Sequence, residues 1–192
     1  MTPRRAWNGM KVLSSYYISK WFKKPVQWGF PISISFEPTT SCNLRCPECP
    51  SGLRAFTRPT GMLQKDFFTD TIDQLSKELM YLVFYFQGEP YLNPQFLDMV
   101  KYASAKKIYT ATSTNAHYLT DAVAKKTVES GLDRLIISID GTTQETADFA
   151  LSLDPLETAS LSLIKPNSVE QYKIMSSASR ERCFFGRGDR AA

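Results

Sequence analysis

The 192 residues include 23 basic and 19 acidic side chains, with 43% hydrophobic and 12% aromatic residues, and hold no apolar run long enough to cross a bilayer. This argues against a membrane span, a collagen-like repeat and a disordered tail, and the length suits one domain with a substantial core. The positive charge is concentrated at the two ends: residues 1–36 contain Arg4, Arg5, Lys11, Lys20, Lys23 and Lys24 and no acid, and residues 180–192 set four arginines against Glu181 and Asp189. The body between them is mildly acidic, so no basic face for nucleic acid is expected.

Residues 1–30 read as a basic, aromatic helical extension, with Trp7, Met10, Val12, Leu13, Tyr16, Tyr17 and Trp21 among the charges. The simpler expectation is an outer helix docked on the core; contact with a membrane surface is the alternative. No signal peptide is expected, because no unbroken apolar segment follows the early arginines. From Pro31 the pattern becomes regular. Ile32, Ile34 and Phe36 alternate with serines as in a strand covered on one face, and Tyr81–Phe86 is apolar throughout, as in a strand buried on both faces. Ile108–Ser113 and Leu135–Ile139 are two further strands.

Helices are expected between these strands. Phe68, Ile72, Leu75 and Leu79 recur on one helical face; Asn93 precedes Pro94 as an N-cap precedes a first-turn proline, with Phe96, Val100 and Ala103 continuing that face; Thr120 caps a third helix that Gly131 ends. The order β-α-β-α-β-α-β with right-handed crossovers predicts an α/β fold with parallel strands and helices outside. Chemistry in such folds gathers at the C-terminal ends of the strands. At those four ends stand Glu37 to Cys42, Gln87-Gly88-Glu89-Pro90, Thr114-Asn115 and Asp140-Gly141.

Cys42, Cys46 and Cys49 lie within eight residues in a C-x3-C-x2-C pattern, while Cys183 stands alone. The cluster reads as a metal site in a reducing, cytoplasmic compartment rather than a disulfide framework. Three thiolates on one loop suit three irons of a four-iron cluster or three positions of a tetrahedral zinc. A closed zinc site needs a fourth ligand, and neither His117 nor Cys183 stands at a familiar zinc spacing.

The C-x3-C-x2-C loop after the first strand resembles the hallmark of the radical S-adenosylmethionine superfamily, with similarity over about residues 31–147. Gly88-Glu89-Pro90 resembles the family's GGEP motif, with Gln87 replacing its first glycine. Ser113-Thr114-Asn115 is similar to the polar end of the next strand. Ser138-Ile139-Asp140-Gly141 resembles the S-x-D-G of the branch that modifies peptides and proteins, the sulfatase-maturase-like, SPASM-type members. The resemblance implies a partial parallel (β/α)6-type barrel of about four βα units. It also implies a [4Fe–4S] cluster on Cys42, Cys46 and Cys49, with S-adenosylmethionine held at the open iron by Gly88, Glu89, Pro90, Ser113, Asn115, Ser138 and Asp140. Reductive cleavage to a deoxyadenosyl radical, a peptide or protein substrate, and an electron donor of flavodoxin or ferredoxin type are implied as well. Each short motif has a plainer reading: Gly-Glu-Pro and Asp140-Gly141 are also turn sequences, and Thr142 to Glu145 forms a capping box.

Beyond about residue 147 the pattern is expected to stop. Residues 148–192 are serine-rich, broken at Asp154-Pro155 and Lys165-Pro166, and end among arginines. They are expected to be irregular or loosely helical, in either a truncated product with a shifted frame or a compact variant whose tail packs across the open sheet edge.

Overall fold

The computed structural model describes residues 2–46, 49–139 and a strand at 159–164. Helix α1 (Pro3–Phe22) is followed by β1 (Ser33–Ser35), the short α2 (Pro50–Leu53), α3 (Lys65–Leu75) and β2 (Tyr81–Val83). A 3-10 turn (Pro90–Leu92), α4 (Phe96–Ala105), β3 (Tyr109–Thr114), α5 (Asp121–Glu129), β4 (Arg134–Ile139) and β5 (Ala159–Ile164) complete the order. The sheet runs β1-β2-β3-β4-β5. The first four strands are parallel, in the register Ser33–Tyr81–Tyr109, Ser35–Val83–Ala111–Arg134 and Ser113–Ile136. The fold class is therefore the expected α/β one, four parallel strands joined through α3, α4 and α5, with the strands at the expected places.

The core lies between one sheet face and helices α3, α4 and α5. Leu82 and Phe84, together with Leu135 and Ile137, are fully buried against Phe68 and Ile72 of α3, Met99, Val100 and Ala103 of α4, and Ala124 of α5. Phe84 is ringed by aromatic neighbours, its centroid 5.5 Å from both Phe68 and Phe96. The other sheet face carries Ser33, Ser35, Tyr81, Val83, Tyr85, Ser113, Arg134 and Ile136, all at least partly exposed, and on it Tyr81 stacks on Tyr109 across the register at 5.3 Å. The expectation that Tyr81–Phe86 is buried on both faces is thus corrected. Burial alternates along β2 because helices cover one side of this sheet, and Phe86, three residues past the end of β2, is 76% exposed.

Two further expectations change. Asn93 does not cap α4, whose N-cap is Gln95; it sits in the turn before it, where its side chain accepts a hydrogen bond from the Gln95 N–H at 2.9 Å. An Asn-Pro pair suits such a turn as well as a helix start. The tail is not irregular throughout, since Ala159–Ile164 forms a strand antiparallel to β4, with Ala159 opposite Ile139 and Ile164 opposite Arg134. Helix α5 begins and ends as expected: the Thr120 side chain accepts from Val123 N–H at 3.3 Å, and Gly131, just past the C-cap, takes φ +76°.

Helix α1 docks on the body as expected, but through polar residues. Arg5 is buried and donates to the backbone carbonyls of Ser76 (2.7 Å), Lys106 (2.8 Å) and Lys107. Ser76 and Lys106 are the C-caps of α3 and α4, so the guanidinium sits at the negative ends of two helix dipoles, which offset its desolvation. Arg4 pairs with Glu78 at 2.5 Å, and Asn8 exchanges two hydrogen bonds with the Phe30 backbone at 2.9 and 3.0 Å.

Two phenylalanines in one apolar run give a direct test of this packing. Phe84→Ala should lose about 3–5 kcal/mol in urea unfolding. Phe86→Ala should stay within about 0.5 kcal/mol of the parent.

Candidate functional site

The loop between β1 and α3 carries the three cysteines, and its two stems are fastened together. Leu63 N–H donates to the Pro38 carbonyl at 2.9 Å, Thr40 N–H to the Gly61 carbonyl at 3.1 Å, and Thr39 bridges Met62. The Asn93 carboxamide, 4% exposed, donates to both the Pro38 carbonyl (2.8 Å) and the Leu63 carbonyl (3.0 Å). A side chain from the β2–α4 connection thus ties the base of the cysteine loop shut.

Within the loop, Cys49 is the N-cap of α2, with its N–H on the Cys46 carbonyl at 3.2 Å and its own carbonyl taken by Leu53. Gly52 packs so tightly that a Cβ there would come within 2.5 Å of the Cys46 backbone. All three cysteines are free thiols of intermediate burial. The Cys42 sulfur accepts from Leu44 N–H at 3.4 Å and from the Asn115 amide at 3.8 Å. Cys49 donates to the Gln87 carboxamide oxygen at 3.5 Å, and Ser51 Oγ donates to the same oxygen at 3.0 Å. Burial pushes the Cys42 thiol above its usual value, with the charges of Glu89 and Cys49 adding to the effect and the Leu44 N–H opposing it.

Three strand ends meet here. Gly88 takes φ +76°, and its N–H donates to Ser51 Oγ at 3.0 Å. A Cβ at this position would fall 2.0 Å from the Thr39 carbonyl and 2.9 Å from that of Ser41, so glycine is needed where the loop after β2 crosses the cysteine loop. Glu89, 2% exposed, donates its N–H to the Ser41 carbonyl at 2.8 Å. Its Oε1 accepts from Thr114 Oγ1 (2.8 Å) and Tyr91 N–H (3.2 Å), and its Oε2 from Asn115 N–H (2.9 Å). Pro90 is buried at the start of the 3-10 turn.

Asn115 reaches across to Asn43 at 2.9 Å, and Asn43 in turn meets the His117 ring at 2.7 Å. The chain turns sharply after β3: Ala116 adopts φ +63°, held by its N–H on Thr114 Oγ1 and by the His117 N–H on Asn115 Oδ1, both at 3.0 Å. A cleft of about 390 Å³ opens beside Cys42, lined by Ser41, Ser51, Arg54, Phe56 and Arg58. Arg58 is anchored by Glu37 at 2.7 Å.

Of the residues expected from sequence, Cys42, Cys46, Cys49, Gly88, Glu89, Pro90 and Asn115 form this one network. Ser113 lies on the partly exposed sheet face opposite Ile136, and Ser138 follows Ile136 on the same face, both apart from the network. Asp140 and Cys183 lie outside the described residues. Asn93 and Ser51 are site residues that the sequence does not single out as such, whereas Thr114 and Gln87 stand at the expected strand ends without an expected role. In the structure Thr114 Oγ1 donates to Glu89 and the Gln87 carboxamide links Cys49 to Ser51.

The donor set suits an iron–sulfur cluster: three reduced cysteines on one loop, with N–H groups already directed at the Cys42 sulfur. Among the described residues no three His, Cys, Asp or Glu side chains converge on one ion position. A cubane asks for no such convergence, because each cysteine binds a different iron.

The profile of the Radical SAM superfamily matches residues 36–172, and the chain belongs to that superfamily, whose members use a [4Fe–4S] cluster and S-adenosylmethionine. The match continues past residue 147, where the resemblance was expected to end. The chain is 33% identical over 134 residues to mycofactocin maturase MftC of Mycobacterium ulcerans, covering 66% of this chain and 36% of that one. It is 31% identical over 121 residues to an AdoMet-dependent heme synthase of Methanosarcina barkeri, covering 62% and 34%. It is 28% identical over 121 residues to the PqqA peptide cyclase of Bradyrhizobium diazoefficiens, covering 63% and 32%. The matched segment spans about a third of each relative's length.

The geometry makes two substitutions informative. Asn93→Ala removes the side-chain donor from the Leu63 carbonyl and leaves the Pro38 carbonyl only the Leu63 N–H, and should cost about 1–3 kcal/mol in denaturant unfolding and lower the iron retained after anaerobic reconstitution. For Gly88→Val, the sequence alone suggests intrusion on the methionyl group. The structure places the intrusion on the Thr39 and Ser41 carbonyls, so iron content and S-adenosylmethionine binding should fall together.

Proposed function

We propose that this chain binds a [4Fe–4S] cluster through Cys42, Cys46 and Cys49 and uses it with S-adenosylmethionine to take a hydrogen atom from a peptide or protein. The observation that carries the reading is the joining of the cysteine loop to Gly88 and Glu89, which brings the cluster ligands and the motif expected to hold the cofactor to one rim of the sheet. Bound there, the two cofactors would supply one-electron cleavage of the sulfonium and, through it, hydrogen-atom abstraction.

The chain's own residues orient and insulate. Leu44 N–H and the Asn115 amide are directed at the Cys42 sulfur, where they would stabilise thiolate charge; the Leu44 N–H opposes, without cancelling, the burial that raises the Cys42 pKa. The Gln87 carboxamide accepts from the thiol of Cys49; rotated, its NH2 would donate to the thiolate. The N–H groups of Gly88 and Glu89 are committed to Ser51 and Ser41, so this segment would offer carbonyl oxygens, the matching partner for the methionyl ammonium. Ser113, Asn115, Ser138 and Asp140, at the ends of β3 and β4, are assigned to the remaining polar groups of the cofactor.

A peptide or protein substrate is supported by two of the three named relatives, a maturase and a peptide cyclase. The electron donor is assigned to the flavodoxin or ferredoxin class. A cytoplasmic location follows from the need to keep three thiols and an exposed cluster reduced. No helix among the described residues is long and apolar enough to cross a membrane.

Anaerobic reconstitution with iron and sulfide tests the proposal. A broad visible charge-transfer band, equal iron and sulfide, and release of deoxyadenosine after reduction with dithionite are expected. A cluster without deoxyadenosine would make the chain a non-catalytic cluster-binding module instead. Alanine at Cys42, Cys46 or Cys49 should remove most of the iron, whereas Cys183→Ala should leave it unchanged. Loss of the cluster in Cys183→Ala would overturn the three-ligand site with its open iron.

A further inference from the structure

Helix α1 is built with its polar side inward. The residues it buries against the body are Arg5, Asn8 and Ser15, and Ser19 on the same side exchanges hydrogen bonds with the Val26 backbone at 2.9 and 3.1 Å. At about 3.6 residues per turn these four fall on one stripe, and Met10, Leu13, Tyr17 and Trp21 occupy the opposite side with Trp7 at its border. Those five are 50–79% exposed, Trp21 most of all. An ordinary outer helix has this arrangement reversed. The segment that returns along α1 adds Trp28 and Phe30, also more than half exposed. It is held by the Asn8–Phe30 pair and by Gly29, where a Cβ would meet Val12 at 2.6 Å.

The charges around this face are of one sign. Residues 1–36 contain no acid. Arg5 is withdrawn into the body and Arg4 is paired with Glu78, which leaves Lys11, Lys20, Lys23 and Lys24 exposed at the sides and end of the apolar stripe. Two copies packed face to face would bring lysines against lysines. A nucleic acid would meet an apolar centre. A sheet of anionic headgroups over an apolar interior meets both requirements, with tryptophan and tyrosine at the depth they favour and lysines reaching outward.

We propose that α1 and the segment to Phe30 form a peripheral docking face for an anionic lipid bilayer. The Arg5 anchor grips the carbonyls that precede β2 and β3, at the N-terminal ends of the strands, while the cysteines sit at the C-terminal ends. A chain seated by α1 therefore turns its cluster rim away from the bilayer, open to substrate.

The test is flotation of the full chain with vesicles of phosphatidylcholine containing one-third phosphatidylglycerol, and with phosphatidylcholine alone. Co-flotation with the anionic vesicles, a blue shift of tryptophan emission and at least roughly tenfold weaker binding in high salt are expected. Trp7→Ser with Trp21→Ser, and separately Lys20→Glu with Lys23→Glu, should each weaken binding roughly tenfold or more. All four positions are exposed, so circular dichroism and iron content after reconstitution should stay at parent values. Failure to float, equal binding to neutral vesicles, or full binding by both variants would overturn the proposal. So would a dimer in gel filtration that the same substitutions dissociate, since the face would then belong to a second copy.

Discussion

The buried carboxylate of Glu89 is the interaction on which the functional rim depends. A carboxylate removed from water is tolerated only where donors replace the lost solvent. Here Thr114 and Asn115 supply two from the end of β3 and Tyr91 a third from the turn that Glu89 itself begins. The Glu89 N–H binds Ser41 at the same time. One residue thus holds the loops after β1, β2 and β3 to one another, and none can shift without exposing a bond to the others. Gly88 makes this possible, because only a residue without Cβ can cross the Thr39 carbonyl at that distance.

The cysteine loop gains its order from this knot. A long excursion between a strand and a helix carries a large conformational freedom that must be removed before ligands can be presented together. Asn93 and the Pro38–Leu63 bond close its base, Ser51 and Gln87 fix its middle to the loop after β2, and Asn115 holds Asn43 next to Cys42. Cluster binding then meets a loop already shaped, with less ordering left to oppose it.

How much of this could be read from the sequence depended on whether the information was local. The cysteine spacing, the parallel strands and the caps at Thr120 and Gly131 repeat at short range and were legible. The Tyr81–Phe86 run was misread because six consecutive apolar residues do not reveal that helices cover a single side of the sheet. Asn93 was misassigned because an Asn-Pro turn and an Asn N-cap look the same until the distant partners Pro38 and Leu63 are known. Ala159–Ile164 alternates serine with apolar residues as the first strand does, but within a serine-rich tail that alternation was passed over. In the N-terminal helix, aromatic residues and lysines mark an amphipathic element, but composition does not tell that Arg5, Asn8 and Ser15 form the side that faces the body.

The antiparallel β5 bears on the same rim. Ile139 ends β4 at the cysteine side of the sheet, and Ala159, its register partner, starts β5 at that side. A further parallel unit would have returned the chain to the opposite rim before the next strand began. In this chain β5 instead begins at the rim that holds Glu89 and the cysteines. At the other end of the strands, Arg5 binds α1 to the ends of α3 and α4 with its apolar side outward. The four parallel strands therefore separate two surfaces with opposite needs: a polar rim whose bonds are internal and fixed, and an apolar, lysine-bordered face that the described residues of the body leave uncovered.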